Sequence, residues 1–214
     1  MSTRTILVLN PKGGCGKTTL AVNIASFYAN QGKSVVLADF DVQASSMEWL
    51  QARSEKYPPI VGMAAWKEEL HIPKGTEYLI MDAPAAVHGK EVTELVKRAE
   101  SVVIPVLPSP IDIRAAVHFI HDILLVGRVS RHVTKLAVVA NRVRENTLVY
   151  HKLQLFLKRL DIPFIATLRD TQNYIRAAER GIGIFEMAPS LVSHDLEQWK
   201  SLTRWLNSKR SLSD

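Results

Sequence analysis

The chain has 214 residues, 47% hydrophobic and 22% charged, with a net charge of +6. That suits one soluble globular domain over residues 1–214, and no apolar run approaches the roughly 18 residues that a membrane span needs. The single cysteine excludes an internal disulfide and fits a reducing cytoplasm. The chain enters a strand so soon after Met1-Ser2-Thr3-Arg4 that no room is left for a signal peptide.

Short apolar runs alternate with helical patterns along the whole chain. Strands are predicted at Thr5–Leu9, Ser34–Ala38, Tyr78–Met81, Val102–Leu107, Leu136–Ala140 and Phe164–Leu168. Several are continuous and β-branched, as in strands buried on both faces. Helices are predicted at Thr18–Gln31, Val92–Ala99, Ile113–Val126, Thr147–Leu160, Tyr174–Arg180 and Leu191–Asn207. The alternation predicts an α/β fold: a doubly wound, mostly parallel sheet with helices on both faces. Ligands of such sheets bind beyond the carboxyl ends of the strands.

The first strand runs into Asn10-Pro11-Lys12-Gly13-Gly14-Cys15-Gly16-Lys17-Thr18-Thr19, and a helical pattern follows. Strand, glycine-rich turn and helix make a phosphate-binding loop, whose backbone N–H groups close on phosphate oxygens at a helix N-terminus. Lys17 is placed to reach the terminal phosphates and Thr18 to hold Mg²⁺. Pro11 stands where such a loop usually has its first glycine, and a second lysine, Lys12, is added. Cys15 reads as a small residue that fits the turn.

Three later segments leave predicted strands at the same sheet edge. In Asp39-Phe40-Asp41-Val42-Gln43, the two carboxylates share a face if the stretch stays extended. Beside Mg-ATP, one can help hold the metal and the other can orient an attacking water. Tyr78-Leu79-Ile80-Met81-Asp82 has the form of a Walker B strand, whose carboxylate serves the metal. Asn141 ends its strand with an amide that can pair with adenine, and the stretch 141–144 lacks the carboxylate a guanine reader wants. The stretch Leu168-Arg169-Asp170, leaving the last strand, is placed to flank the base. Ser109, between two prolines, is expected to redirect the chain into the following helix.

The loop from Lys12 to Thr18 resembles the deviant Walker A motif of the ParA/MinD ATPases. The likeness continues through Asp39-Phe40-Asp41-Val42-Gln43, where Val42 replaces a usual proline. It extends through Ile80–Pro84, Ile104–Asp112 and the turn Gly181-Ile182-Gly183-Ile184-Phe185-Glu186. The short chain is most similar to the small ParA subgroup, which serves plasmid partition and the positioning of protein cargo such as carboxysomes. The resemblance implies an ATP-bridged homodimer with slow hydrolysis, accelerated by a ParB-like or McdB-like adaptor. It assigns Lys12 to the partner's nucleotide, Lys17, Gly13, Gly14, Cys15, Gly16 and Thr19 to the nucleotide in the same subunit, and Asp41 to the attacking water. Thr18, Asp39 and Asp82 fall to the metal, and Asn141 to adenine.

Charge is distributed unevenly. Residues 128–214 carry 15 Lys+Arg against 8 Asp+Glu, and residues 1–127 carry 12 against 13. An excess on one part suits an extended polyanion. The resemblance points to double-stranded DNA bound without sequence preference, on the nucleoid in the cytoplasm. Candidate contacts are Arg142, Arg144, Arg169, Arg176, Arg180, Lys200, Arg204, Lys209 and Arg210. The alternative is a MinD-like cycle on the membrane, carried by the apolar stripe Leu191, Leu196, Trp199, Leu202, Trp205 and Leu206, which otherwise reads as core packing. A small-molecule enzyme on the same scaffold is a third class.

Overall fold

Seven parallel strands form the centre of the molecule in the spatial order β3-β2-β4-β1-β5-β6-β7. The computed structural model describes residues 3–126, 134–144 and 163–212. The strands are β1 (Arg4–Val8), β2 (Val35–Asp39), β3 (Val61–Ala64), β4 (Tyr78–Asp82), β5 (Ser101–Val106), β6 (Lys135–Val143) and β7 (Phe164–Arg169). The described helices are α1 (Lys17–Ala29), α2 (Ser45–Gln51), α3 (Lys90–Lys97), α4 (Pro110–Val126), α5 (Gln172–Ala178) and α6 (Pro189–Leu206). The helix predicted at Thr147–Leu160 lies outside the described residues.

Continuous apolar strands demand cover on both faces, and the pleat divides each strand between two cores. Ile6 and Val8 join one cluster with α1, α2 and α6. Leu7 and Leu9 join the other with α3 and α4. The apolar stripe of α6 is spent on the first cluster, where Trp199, Leu202 and Leu206 are fully buried. Each such leucine contributes about 1.5–3 kcal/mol, so the stripe belongs to the core rather than to a membrane surface. Leu191 alone of the predicted stripe stays exposed.

Local signals set several boundaries. Ser109 Oγ accepts from the Asp112 backbone N–H at 3.1 Å and Pro110 opens α4, so the turn launches the helix as expected. Two elements escaped the sequence reading. Edge strand β3 is only four residues long, with a glycine and a half-exposed Val61 in place of an apolar run. Helix α2 is seven residues long and starts just after the Asp39–Gln43 turn. Strand β6 also runs past its predicted end to Val143 through a register shift between Ala140 and Val143.

The late turn 181–186 clasps three elements. A Cβ on Gly181 would lie 2.3 Å from the Arg53 backbone N, and one on Gly183 would lie 1.8 Å from Ser26 Oγ. The Ile184 N–H donates to Asn23 Oδ1 at 2.8 Å. Arg53, buried just past α2, makes a bidentate pair with buried Glu186 and lies over the rings of Trp49 and Tyr57.

Candidate nucleotide site

The loop between β1 and α1 is braced from several sides. Asn10, buried, donates through Nδ2 to the Pro105 carbonyl at 2.6 Å and accepts the Lys12 N–H at 2.9 Å. Ala86 N–H donates to the Pro11 carbonyl at 2.8 Å. Gly14 and Gly16 take left-handed conformations, with φ of 73° and 91°. Lys17 Nζ bends back onto the Lys12 carbonyl at 3.1 Å, which holds the ammonium over the loop. Cys15 is fully buried and its thiol donates to the same carbonyl at 3.2 Å. Burial pushes that thiol up, so it is a packing residue in the turn rather than a nucleophile.

The two carboxylates of the Asp39–Gln43 stretch do not share a face. Strand β2 ends at Asp39, and the Asp41 N–H turns back onto Asp39 Oδ1 at 2.9 Å. Asp39 is therefore buried under α2, where Oδ2 accepts the N–H groups of Ser46 at 2.9 Å and Met47 at 3.4 Å. Asp41 stays in the cavity wall, anchored by the Gln43 N–H at 2.9 Å and the Ala85 N–H at 3.2 Å.

Asp82 ends β4 in register with Asp39 on β2. Its Oδ2 accepts from the Ser46 hydroxyl at 2.6 Å. Its Oδ1 is buried with no hydrogen-bond partner among the described residues. Burial raises the carboxyl to about 7, opposed by Ser46 and then the Thr18 hydroxyl, with Asp39 raising it further. An orphaned carboxylate oxygen beside a threonine hydroxyl at a phosphate loop is a hard-oxygen donor set that fits magnesium.

A cavity of about 570 Å³ opens over the loop, the size of a small-molecule site. Gly13, Gly14, Gly16, Lys17, Thr18, Thr19, Asp41, Asn141 and Arg169 line it, and Lys12, Cys15, Asp39 and Asp82 do not. Asn141 does not terminate its strand. Its Nδ2 donates to the Cys15 carbonyl at 2.8 Å, so part of the amide serves the loop itself. Arg142, next in the shifted stretch, has a φ of 53° and also lines the cavity. The other non-glycine residues with positive φ among those described, Ala44 and Ala86, lie close to the same site, where backbone strain commonly collects.

The residues that hold this wall in place carry less sequence signal. Asp170, in the stretch expected to flank the base, lines the cavity and pairs with Arg142 and Arg144, so a carboxylate reaches this wall from the strand after Asn141's. Arg169 is held by Asp195, with contacts of 2.6 and 3.1 Å, and Asn173 donates to the same fully buried carboxylate at 2.6 Å. A buried aspartate in the middle of an amphipathic helix can be read only when its strand partner is known. Ser46 is equally silent, since serine is common at any helix start.

The other eight DNA candidates, Arg142, Arg144, Arg176, Arg180, Lys200, Arg204, Lys209 and Arg210, are all exposed. They do not form one patch. Arg142 and Arg144 sit at the carboxyl edge of the sheet beside the cavity. Lys209 and Arg210 sit at the amino edge, where their neighbour Ser211 bonds Arg4 and Ser101 at the strand starts. Arg169, the ninth candidate, is paired with Asp195.

Comparison with known proteins agrees with this fold. Over 190 residues the chain is 27% identical to maintenance of carboxysome distribution protein A of Halothiobacillus neapolitanus, covering 86% of this chain and 87% of that one. It is 29% identical over 193 residues to the protein of the same name from Gloeobacter kilaueensis, covering 86% and 84%. Its structure is similar to that of apo McdA from Cyanothece, with a TM-score of 0.76 at 15% identity, covering 96% and 100%. Residues 6–184 match the CobQ/CobB/MinD/ParA nucleotide binding domain. With a seven-stranded parallel sheet and a phosphate loop at its carboxyl edge, the chain belongs to that family of nucleotide-binding ATPases.

Proposed function

We propose that this ATPase is a positioning motor of the small ParA type. In its ATP-bound form it pairs as a homodimer, binds double-stranded DNA without sequence preference on the nucleoid, and is released when an adaptor protein stimulates hydrolysis. The names of the relatives favour a carboxysome-like protein cargo. The observation that carries the reading is the division between two lysines. Lys17 lines the cavity with its ammonium over the loop, whereas Lys12, five residues earlier, does not line the cavity of its own subunit. A lysine outside its own site is available to a second subunit's phosphates.

The chemistry assigned to each residue follows from its anchoring. Backbone N–H groups of Gly13 to Thr18 and the Lys17 ammonium hold the phosphates. The Asp41 carboxylate, fixed by two backbone N–H groups, accepts a hydrogen bond from the attacking water and orients it toward the γ-phosphate. Thr18 and Asp82 would hold Mg²⁺, which would supply neutralising charge at the phosphates. With one Nδ2 hydrogen given to Cys15, the Asn141 carbonyl oxygen remains to accept from the exocyclic amine of adenine. Exposed Arg176 on α5 and Arg180 just past its end, with Lys200 and Arg204 on α6, supply the cations that face DNA.

The test combines light scattering with a mobility shift. A non-hydrolysable ATP analogue with Mg²⁺ should double the molar mass, and ATP should induce binding to random duplex DNA that is strong at 50 mM salt and lost at 500 mM. A monomer under saturating analogue, or DNA binding indifferent to nucleotide, overturns the reading.

A further inference from the structure

Asp39 and Asp82 are register partners on adjacent strands, and both are almost completely buried. Two carboxylates so placed repel one another and lose their hydration. One residue links them. Ser46, itself fully buried, gives its backbone N–H to Asp39 Oδ2 at 2.9 Å and its hydroxyl to Asp82 Oδ2 at 2.6 Å. Asp39 spends its two oxygens on three backbone N–H groups, those of Asp41, Ser46 and Met47. Asp82 keeps Oδ1 without a protein partner, at the carboxylate that the Thr18 hydroxyl approaches.

We propose that Ser46 is a positioning residue for magnesium: its hydroxyl pins Asp82 Oδ2 so that Oδ1 faces the metal beside Thr18, and Asp39 acts through Ser46 rather than on the metal. The assignment rests on the nucleotide reading above. A carboxylate free to rotate would present either oxygen or neither, so the pin sets both the orientation and the charge available to a hydrated cation. Removing such an outer hydrogen bond typically lowers metal affinity 10- to 100-fold. Because Ser46 lies in the first turn of α2, just behind the turn that carries Asp41, the same contact ties the water-orienting loop to the metal side of the site.

The experiment is a Mg²⁺ titration of the full chain, monitored by fluorescence of N-methylanthraniloyl-ATP. Ser46→Ala and the near-isosteric Ser46→Cys, a weak donor, are compared with the parent, and each is also measured in EDTA. The Mg²⁺ midpoint should rise about tenfold or more in both variants, with affinity in EDTA within about twofold of the parent. An unchanged midpoint in a folded Ser46→Cys protein overturns the assignment. So does an equal loss of affinity with and without Mg²⁺, which marks general damage to the site. A parent protein that binds no analogue under either condition overturns the nucleotide reading and this inference with it.

Discussion

The Asn141 side chain donates to the Cys15 carbonyl at 2.8 Å across 126 residues of sequence, tying the carboxyl end of β6 to the middle of the phosphate loop. A Cβ on Gly16 would lie 2.2 Å from that same nitrogen, so the glycine makes room for the contact. Asn141→Ala leaves a buried carbonyl unpaired and should cost about 1–3 kcal/mol. Asn141→Asp should cost more, because it sets an acceptor against an acceptor. Urea denaturation of the nucleotide-free proteins gives both values, and equal stability of the two variants would refute the contact.

Asp41 is anchored by backbone rather than by another side chain, so its removal should leave the fold and the cavity intact. Asp41→Ala should bind ATP with near-parental affinity while turnover falls about 100-fold or more, the usual range for loss of a proton-accepting group. Calorimetric binding beside a phosphate-release assay checks the split. Parental turnover would remove Asp41 from its role.

Lys12 gives a different signature. Its carbonyl serves Lys17 and Cys15, and these bonds survive truncation of the side chain. Lys12→Ala should therefore bind ATP yet show no gain in molar mass with the non-hydrolysable analogue, or no turnover above background. Light scattering and phosphate release decide it, and a stimulated, dimerising Lys12→Ala protein would refute the cross-subunit assignment.

Asp82 predicts a pH dependence. Burial holds its carboxyl at about 7, above the ordinary carboxylate range, so the folded protein keeps a proton that the unfolded chain releases. The resulting stability is present below about pH 4 and is lost as pH rises through about 7. In EDTA without nucleotide, Asp82 should make unfolding easier from pH 5 to pH 8, with a slope of at most about 1.4 kcal/mol per pH unit. Thermal melts of the parent and Asp82→Asn should converge at low pH, with the variant the more stable at pH 8. Parallel profiles would exclude the effect.

Arg53 and Glu186 form a buried pair that binds the end of α2 to the late turn. Glu186→Ala strands a guanidinium among Trp49, Tyr57 and backbone carbonyls, and should cost about 3–5 kcal/mol. Replacing both partners by apolar side chains of similar volume should cost less than the single change. Chemical denaturation of the three proteins tests this order.

Much of the fold was legible because its signals are local. The apolar runs named six of the seven strands, and glycines at 13, 14 and 16 before Lys17 and Thr18 named the phosphate loop. The misses came where short range carried little information. Strand β3 pairs only at an edge, and α2 is too short for a helical period. Asp39 and Asp41 look equivalent in sequence, yet a single backbone turn buries one and leaves the other in the cavity wall.

Residue order by itself determined the chemistry available: a phosphate nest, two lysines five positions apart, and carboxylates at strand ends, since these depend on neighbours a few residues away. Tertiary structure alone decided which groups meet. It set Ser46 between Asp39 and Asp82, gave Arg169 to Asp195, divided the basic residues between opposite edges of the sheet, and turned the α6 stripe inward. Each outcome depends on strand order and burial, which bring distant side chains within bonding range and make a buried unpaired charge too costly to keep.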